Sequence, residues 1–104
     1  MTTPRSIMQE VSPKLAELSA DVLFGDIWER PELSKRDRSL ITVANLVALY
    51  RTDQLKGHIG RALDNGVTKS EIGEIILHTA FYAGVPVGAN AARVAKEVFD
   101  ERGI

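Results

Sequence analysis

A run that carries both its own start signal and its own stop signal constrains a fold more than any composition does. Thr68 to Pro86, TKSEIGEIILHTAFYAGVP, is such a run. Thr68 is a favourable N-cap, and Glu71 three residues later completes a capping box. Gly84 suits the C-terminal cap, and Pro86 forbids continuation of the same helix. These signals bound a helix of roughly 15 residues, about four turns. At roughly 100° per residue, Glu71, Glu74, His78 and Tyr82 fall within one sector of about 80° and form a polar stripe. Ile72, Ile75, Ile76, Thr79, Ala80 and Ala83 cover one flank of that stripe, and Leu77 and Phe81 the other. Apolar residues on both flanks predict burial on both, so the stripe is expected to face a shared interior or a cleft, the alternative being a surface helix with its glutamates solvated and its histidine capped by a neighbour.

The rest of the chain reads as helices packed around this one. Residues 1 to 6 are a polar leader. Met8, Val11, Leu15 and Leu18 recur at helical spacing, with Pro13 inside the run, which predicts a helix starting at Pro13 with Ser12 as its cap. Asp21 to Arg30, DVLFGDIWER, predicts a second short helix ended by Pro31. Ser34 caps the next, with Asp37 as a shorter capping-box acid. Ser39 to Tyr50, SLITVANLVALY, is apolar on every side, which predicts a helix buried all round. So short a chain has little left to enclose it, so a second subunit is expected to help cover it. Asp53 is a plausible cap for Gln54 to Asp64, and Asn65 and Gly66 end that helix in a left-handed turn, with Val67 as a staple residue. Val87 to Arg102 completes the set, ended by Gly103. No run alternates with the period of a strand, so the expected fold is all-α, about six helices in one domain over residues 1–104.

Composition narrows function mainly by exclusion. The chain has 104 residues, a net charge of -1 and no cysteine, so thiol chemistry, disulfides and thiolate metal sites are out. Charge is balanced, which favours neither nucleic acid nor a membrane surface as partner, and no apolar run reaches the roughly 20 residues of a membrane helix. A cytoplasmic location is expected. No phosphate-binding glycine loop or paired-histidine zinc motif occurs, and no cofactor is called for. Gly57, Gly60 and Gly73 stand alone inside helical patterns and suggest close helix packing.

What remains for chemistry is acid, imidazole and guanidinium. His58 lies on one helix, with Glu74 and His78 on the next; antiparallel packing across the Asn65 to Val67 turn would bring them into range of one another. An imidazole beside a carboxylate suits proton transfer near neutral pH. Arg38 and Arg51, at opposite ends of the buried helix, are candidates for holding an anionic group.

Arg36 to Phe99, including His58, the Asn65 to Thr68 turn NGVT, Glu71, Glu74, His78, Tyr82, Gly84 and Pro86 in one register, closely resembles the carboxymuconolactone decarboxylase family. Phe24 to Trp28, FG-x-x-W, fits that family's lead-in. The resemblance implies an all-helical homo-oligomer, a dimer, trimer or hexamer. It also implies one of two chemistries. The branch similar to alkyl hydroperoxide reductase partner proteins uses a Cys-x-x-Cys pair, a histidine four residues on and an upstream glutamate. Here Arg51 and Gln54 stand at the cysteine positions and Ser39 at the glutamate position, and only His58 matches, which excludes thiol peroxidase chemistry. The other branch decarboxylates γ-carboxymuconolactone in aromatic catabolism without metal or organic cofactor. On that resemblance His58, His78 and Glu74 are the catalytic candidates, and Arg38, Arg51 and Tyr82 the candidates for binding a small anionic substrate. The chain departs from many decarboxylases of this branch in GANAARVA, where Asn90 and alanines stand in place of a histidine. The competing expectation is a non-catalytic oligomeric module binding a small molecule or a partner protein.

Overall fold

A computed structural model describes residues 3–104 and divides the chain after Leu33 into two compact units. Met1 and Thr2 of the expected polar leader lie outside the described residues. Among the described residues every regular element is helical.

The first unit opens with α1 (Pro4–Val11) and α2 (Pro13–Leu18). Helix therefore begins earlier than the leader reading allows: the Thr3 hydroxyl accepts the Ser6 N–H at 3.1 Å, and Pro4 takes the first helical position, where no N–H is needed. Pro13 starts α2 as expected, and its ring pushes Ser12 to φ −142°, ψ 76°, so two helices meet where one was expected to start. The expected Asp21 to Arg30 helix is replaced by a π-helical turn, Ser19–Phe24, and a 3-10 turn, Ile27–Glu29. Trp28 is buried there, its ring stacked 6.1 Å from that of Phe24. Arg30 turns extended before Pro31, as the residue preceding proline must.

The second unit contains α3 (Lys35–Ala48), α4 (Thr52–Asp64), α5 (Lys69–Ala83) and α6 (Val85–Arg102). Ser34 caps α3 by accepting the Asp37 N–H at 3.0 Å. Thr68 and Glu71 form the full capping box on α5, with both bonds present at 3.1 and 3.0 Å. Val67 before the cap and Ile72 after it are both buried in the same core, which is the staple arrangement. The start of α4 differs from expectation: helix begins at Thr52, Arg51 occupies the cap position, and no side chain, Asp53 included, caps it.

α3 packs on α4 and α5 packs on α6, while α3 also lies against α5 and α4 against α6. Val43 and Val47, Leu55 and Ile59, Ile72, and Val94 and Val98 meet in the middle. The Arg36 guanidinium pairs with Glu71, joining the first turns of α3 and α5. Asn65 Nδ2 donates to Ser39 Oγ at 3.0 Å, and Arg102 reaches Asp64 at 2.8 Å and the Gly60 carbonyl at 2.9 Å, tying the ends of α4 and α6. Where α6 folds back on α5, Gly88 allows the contact: a Cβ there would stand 2.7 Å from the Ala80 Cβ. Gly57 and Gly73 have open space instead, so neither marks the close packing their isolation suggested.

α3 is one-sided within a single chain. Ser39, Val43 and Val47 are buried, but Ile41 and Leu49 remain 48% and 63% exposed, so the helix expected to be enclosed all round keeps an open apolar side.

Candidate active site

Five of the six candidate residues sit on three helices, and Arg51 on the link between two of them. Arg38 projects from the first turns of α3 and is half-buried, with its Nε withdrawn from solvent. Arg51 is exposed at the sharp link between α3 and α4. That link is shaped by a non-glycine residue with positive φ, Tyr50 at +59°. The Arg51 N–H reaches the Leu46 carbonyl at 2.9 Å and the Tyr50 N–H the Val47 carbonyl at 3.1 Å, which closes α3 in a Schellman motif. α4 ends the same way, with Val67 N–H on the Ala62 carbonyl at 2.9 Å and Gly66 at φ +96°. The motif needs a left-handed residue, glycine at one end and tyrosine at the other.

His58 is half-buried on α4. Burial pushes its pKa down from the ordinary histidine value, and the nearby Arg61 charge adds to the effect, so the neutral imidazole is favoured. It therefore keeps one N–H to donate and one nitrogen to accept.

Glu74, His78 and Tyr82 stand along α5 in the register expected, and the rings of His78 and Tyr82 lie 5.0 Å apart at a tilt of 37°. Two expectations about this stripe need correction. The stripe does not face an interior of the single chain: Glu74 and His78 are exposed and Tyr82 is 83% exposed, because the Leu77 and Phe81 flank is itself uncovered. Nor do α4 and α5 form the antiparallel pair that would bring His58 to the stripe. Each packs instead on α3 and α6, so they occupy opposite corners of the unit. The fourth stripe residue, Glu71, is committed to structure: it accepts from Arg36 and from the Thr68 N–H, and these bonds, the guanidinium first, hold its carboxyl below the usual range.

The structure thus joins His78 with Tyr82 and places Glu74 one turn away, while His58 and Arg38 stand on other helices and Arg51 on the link between them. Asn90, one of the residues of GANAARVA where a histidine was noted as missing, turns its amide back to the Pro86 carbonyl at 2.9 Å and braces the first turn of α6. Among the described residues no three His, Asp or Glu side chains converge as a metal site would require, and no helix is long and apolar enough to cross a membrane.

The sequence pattern of the carboxymuconolactone decarboxylase family matches residues 13–97, a span that contains all six candidates. The chain belongs to this family. A 4-carboxymuconolactone decarboxylase of Acinetobacter baylyi is 47% identical over 81 residues, covering 78% of this chain and 60% of that protein. A nitrosuccinic acid decarboxylase of Metarhizium robertsii is 34% identical over 85 residues, 82% of this chain and 59% of the relative. The chain therefore spans about three fifths of the length of these two relatives. Within the family, the residue at the glutamate position of the thiol branch, Ser39, is here buried and bound to Asn65, a structural use of that position.

Proposed function

We propose that this chain decarboxylates a small anionic lactone of the 4-carboxymuconolactone type, as a cofactor-free homo-oligomer in the cytoplasm. The observation that carries the reading is the 47% identity to a relative of that name, together with a family match spanning every candidate residue. A second relative named for decarboxylating a different small acid supports the reaction class over any single substrate.

The chemistry asks for little beyond these side chains. The bond between the carboxylate carbon and its neighbour breaks, carbon dioxide leaves, and the electron pair stays behind as a delocalised carbanion that must take up one proton. Arg51 and Arg38 supply fixed cations of the kind that hold substrate carboxylates. His58 and His78 are the proton-transfer groups, one of which returns the single proton, with Glu74 one helical turn before His78 to orient its ring and Tyr82 against its face. Charge developing on the lactone is stabilised by preorganised donors and cations rather than by water.

The roles separate in kinetics on 4-carboxymuconolactone. Arg51→Gln is expected to raise KM with little change in kcat, and His58→Gln or His78→Ala to lower kcat by about 100-fold or more. Unchanged kcat in both histidine variants would remove the acid/base assignment. A non-catalytic binding module is the second reading, favoured by the separation of His58 from the α5 stripe within one chain. Saturable lactone binding without carbon dioxide release would decide for it.

A further inference from the structure

Among the described residues Tyr50, at φ +59°, is the one left-handed residue that is not glycine. The same closing motif at the end of α4 uses Gly66, which enters that region without strain, so position 50 carries its tyrosine against a backbone cost. The fold takes little from that side chain. Its ring is 54% exposed, and among the described residues its phenol makes no hydrogen bond and no ring contact. A strained residue whose side chain the fold leaves idle points to a functional contact. Arg51, the next residue, is idle in the same way. It is exposed and has no ion pair among the described residues, whereas every other Lys and Arg of the second unit is engaged, as Arg36 is with Glu71, Arg93 with Glu97 and Lys69 with the Phe99 ring. The backbone bonds from Tyr50 to Val47 and from Arg51 to Leu46 hold the link, so both side chains start from fixed positions.

We propose that Tyr50 is a substrate-contacting residue that selects flat, unsaturated carboxylates, its ring stacking on the substrate ring while the Arg51 guanidinium holds a carboxylate. This contact rests on the decarboxylase reading, which supplies the ring it covers. A lactone of the 4-carboxymuconolactone type is a flat, unsaturated five-membered ring bearing carboxylates. It gives an aromatic face a surface to cover and a guanidinium a planar anion to hold by two bonds. Arg51 reads any carboxylate, and Tyr50 adds the preference for the flat ring. The face of a phenol ring is the negative side of its quadrupole, so it gives no added stabilisation as the carbanion forms. Tyr50 therefore acts on binding, and its loss belongs in KM rather than in kcat.

Two measurements test this, one with turnover and one without. In steady-state kinetics on 4-carboxymuconolactone, Tyr50→Gly is expected to raise KM about tenfold with kcat within about twofold, and Tyr50→Phe, which keeps the ring, to hold KM within about twofold of wild type. A merely structural tyrosine would change stability in urea and leave KM alone. The second measurement is calorimetric titration with two carboxylates that the reaction does not consume, furan-2-carboxylate and its saturated counterpart tetrahydrofuran-2-carboxylate. Wild type is expected to bind the flat ring about tenfold tighter than the saturated one, Tyr50→Gly to bind the two equally, and Arg51→Gln to weaken both. If Tyr50→Gly fails to fold, Tyr50→Asn takes its place, because asparagine also tolerates the left-handed region. An unchanged KM in the ringless variant of an active enzyme would overturn the contact. In an inactive one, a preference for the flat ring that is absent from wild type or unchanged in the variant would do the same. So would a ringless variant whose mass in sedimentation falls, because the ring would then sit between copies of the chain. Tyr50-dependent preference in a protein that leaves the lactone intact would sustain the contact and reject the decarboxylase reading alone.

Discussion

Tyr50 is the residue whose backbone is most at odds with its side chain. A tyrosine at φ +59° pays the left-handed penalty that glycine avoids at the equivalent end of α4. Tyr50→Gly is therefore expected to raise unfolding free energy by about 1 kcal/mol, part of it offset by the freer unfolded chain. Urea denaturation measures this, and a loss of stability would mean that the Tyr50 ring makes a stabilising contact. His58 gives a second residue-scale expectation. Its pKa is lowered in the fold from 6.5, so the unfolded chain binds the proton more readily. Stability is then complete above about pH 6.5 and falls as the pH drops below it toward the folded value. The lowered Glu71 and Asp64 carboxyls contribute in a separate window, below 4.5 and 3.8. Thermal melting between pH 7 and 5 should show the fall, and His58→Gln should remove its share; an identical pH dependence in the variant would contradict it. Tyr50 does not advertise itself in sequence. A glycine or asparagine at position 50 would have marked the turn, but a tyrosine there reads as one more apolar helix residue.

At the scale of elements, what was legible was what is decided locally. The Thr68 and Glu71 capping box, the Ser34 cap, the Val67 staple and the Gly84 stop each depend on residues within a few positions of one another, and each forms as read. Bonds between distant positions were not legible: the neighbours of α5 are α3 and α6, although α4 precedes it in sequence. A four-residue link between helices invites the assumption of a hairpin, and the pairing across α3 overrides it. The glycines show the same division. Gly73 lies exposed inside α5 with open space, so Gly73→Ala should stabilise by roughly 0.5–1 kcal/mol through backbone entropy. Gly88 faces the Ala80 Cβ, so Gly88→Ala should destabilise, by about 1–3 kcal/mol less its gain in helix propensity. Opposite signs in chemical denaturation test this; a stabilising Gly88→Ala would mean that α5 and α6 part without cost.

For the whole molecule, a single chain does not gather the six candidates into one enclosed pocket. His78 and Tyr82 meet, Glu74 flanks them, and His58 stands on α4, Arg38 on α3 and Arg51 on the link between them. A site that needs water excluded from a developing carbanion is therefore expected to draw on more than one chain. The sequence pattern identifies which side chains are available, whereas which of them meet depends on packing between distant helices, and no periodicity along the chain encodes that. Membership in the carboxymuconolactone decarboxylase family and the 47% identity to a relative named 4-carboxymuconolactone decarboxylase are what the proposed reaction rests on. The direct measurement is carbon dioxide release, with loss of lactone absorbance, when purified protein meets 4-carboxymuconolactone. Stoichiometric release over many turnovers is the predicted result. Folded, oligomeric protein that leaves the lactone intact would contradict the assignment and leave the family fold without this substrate.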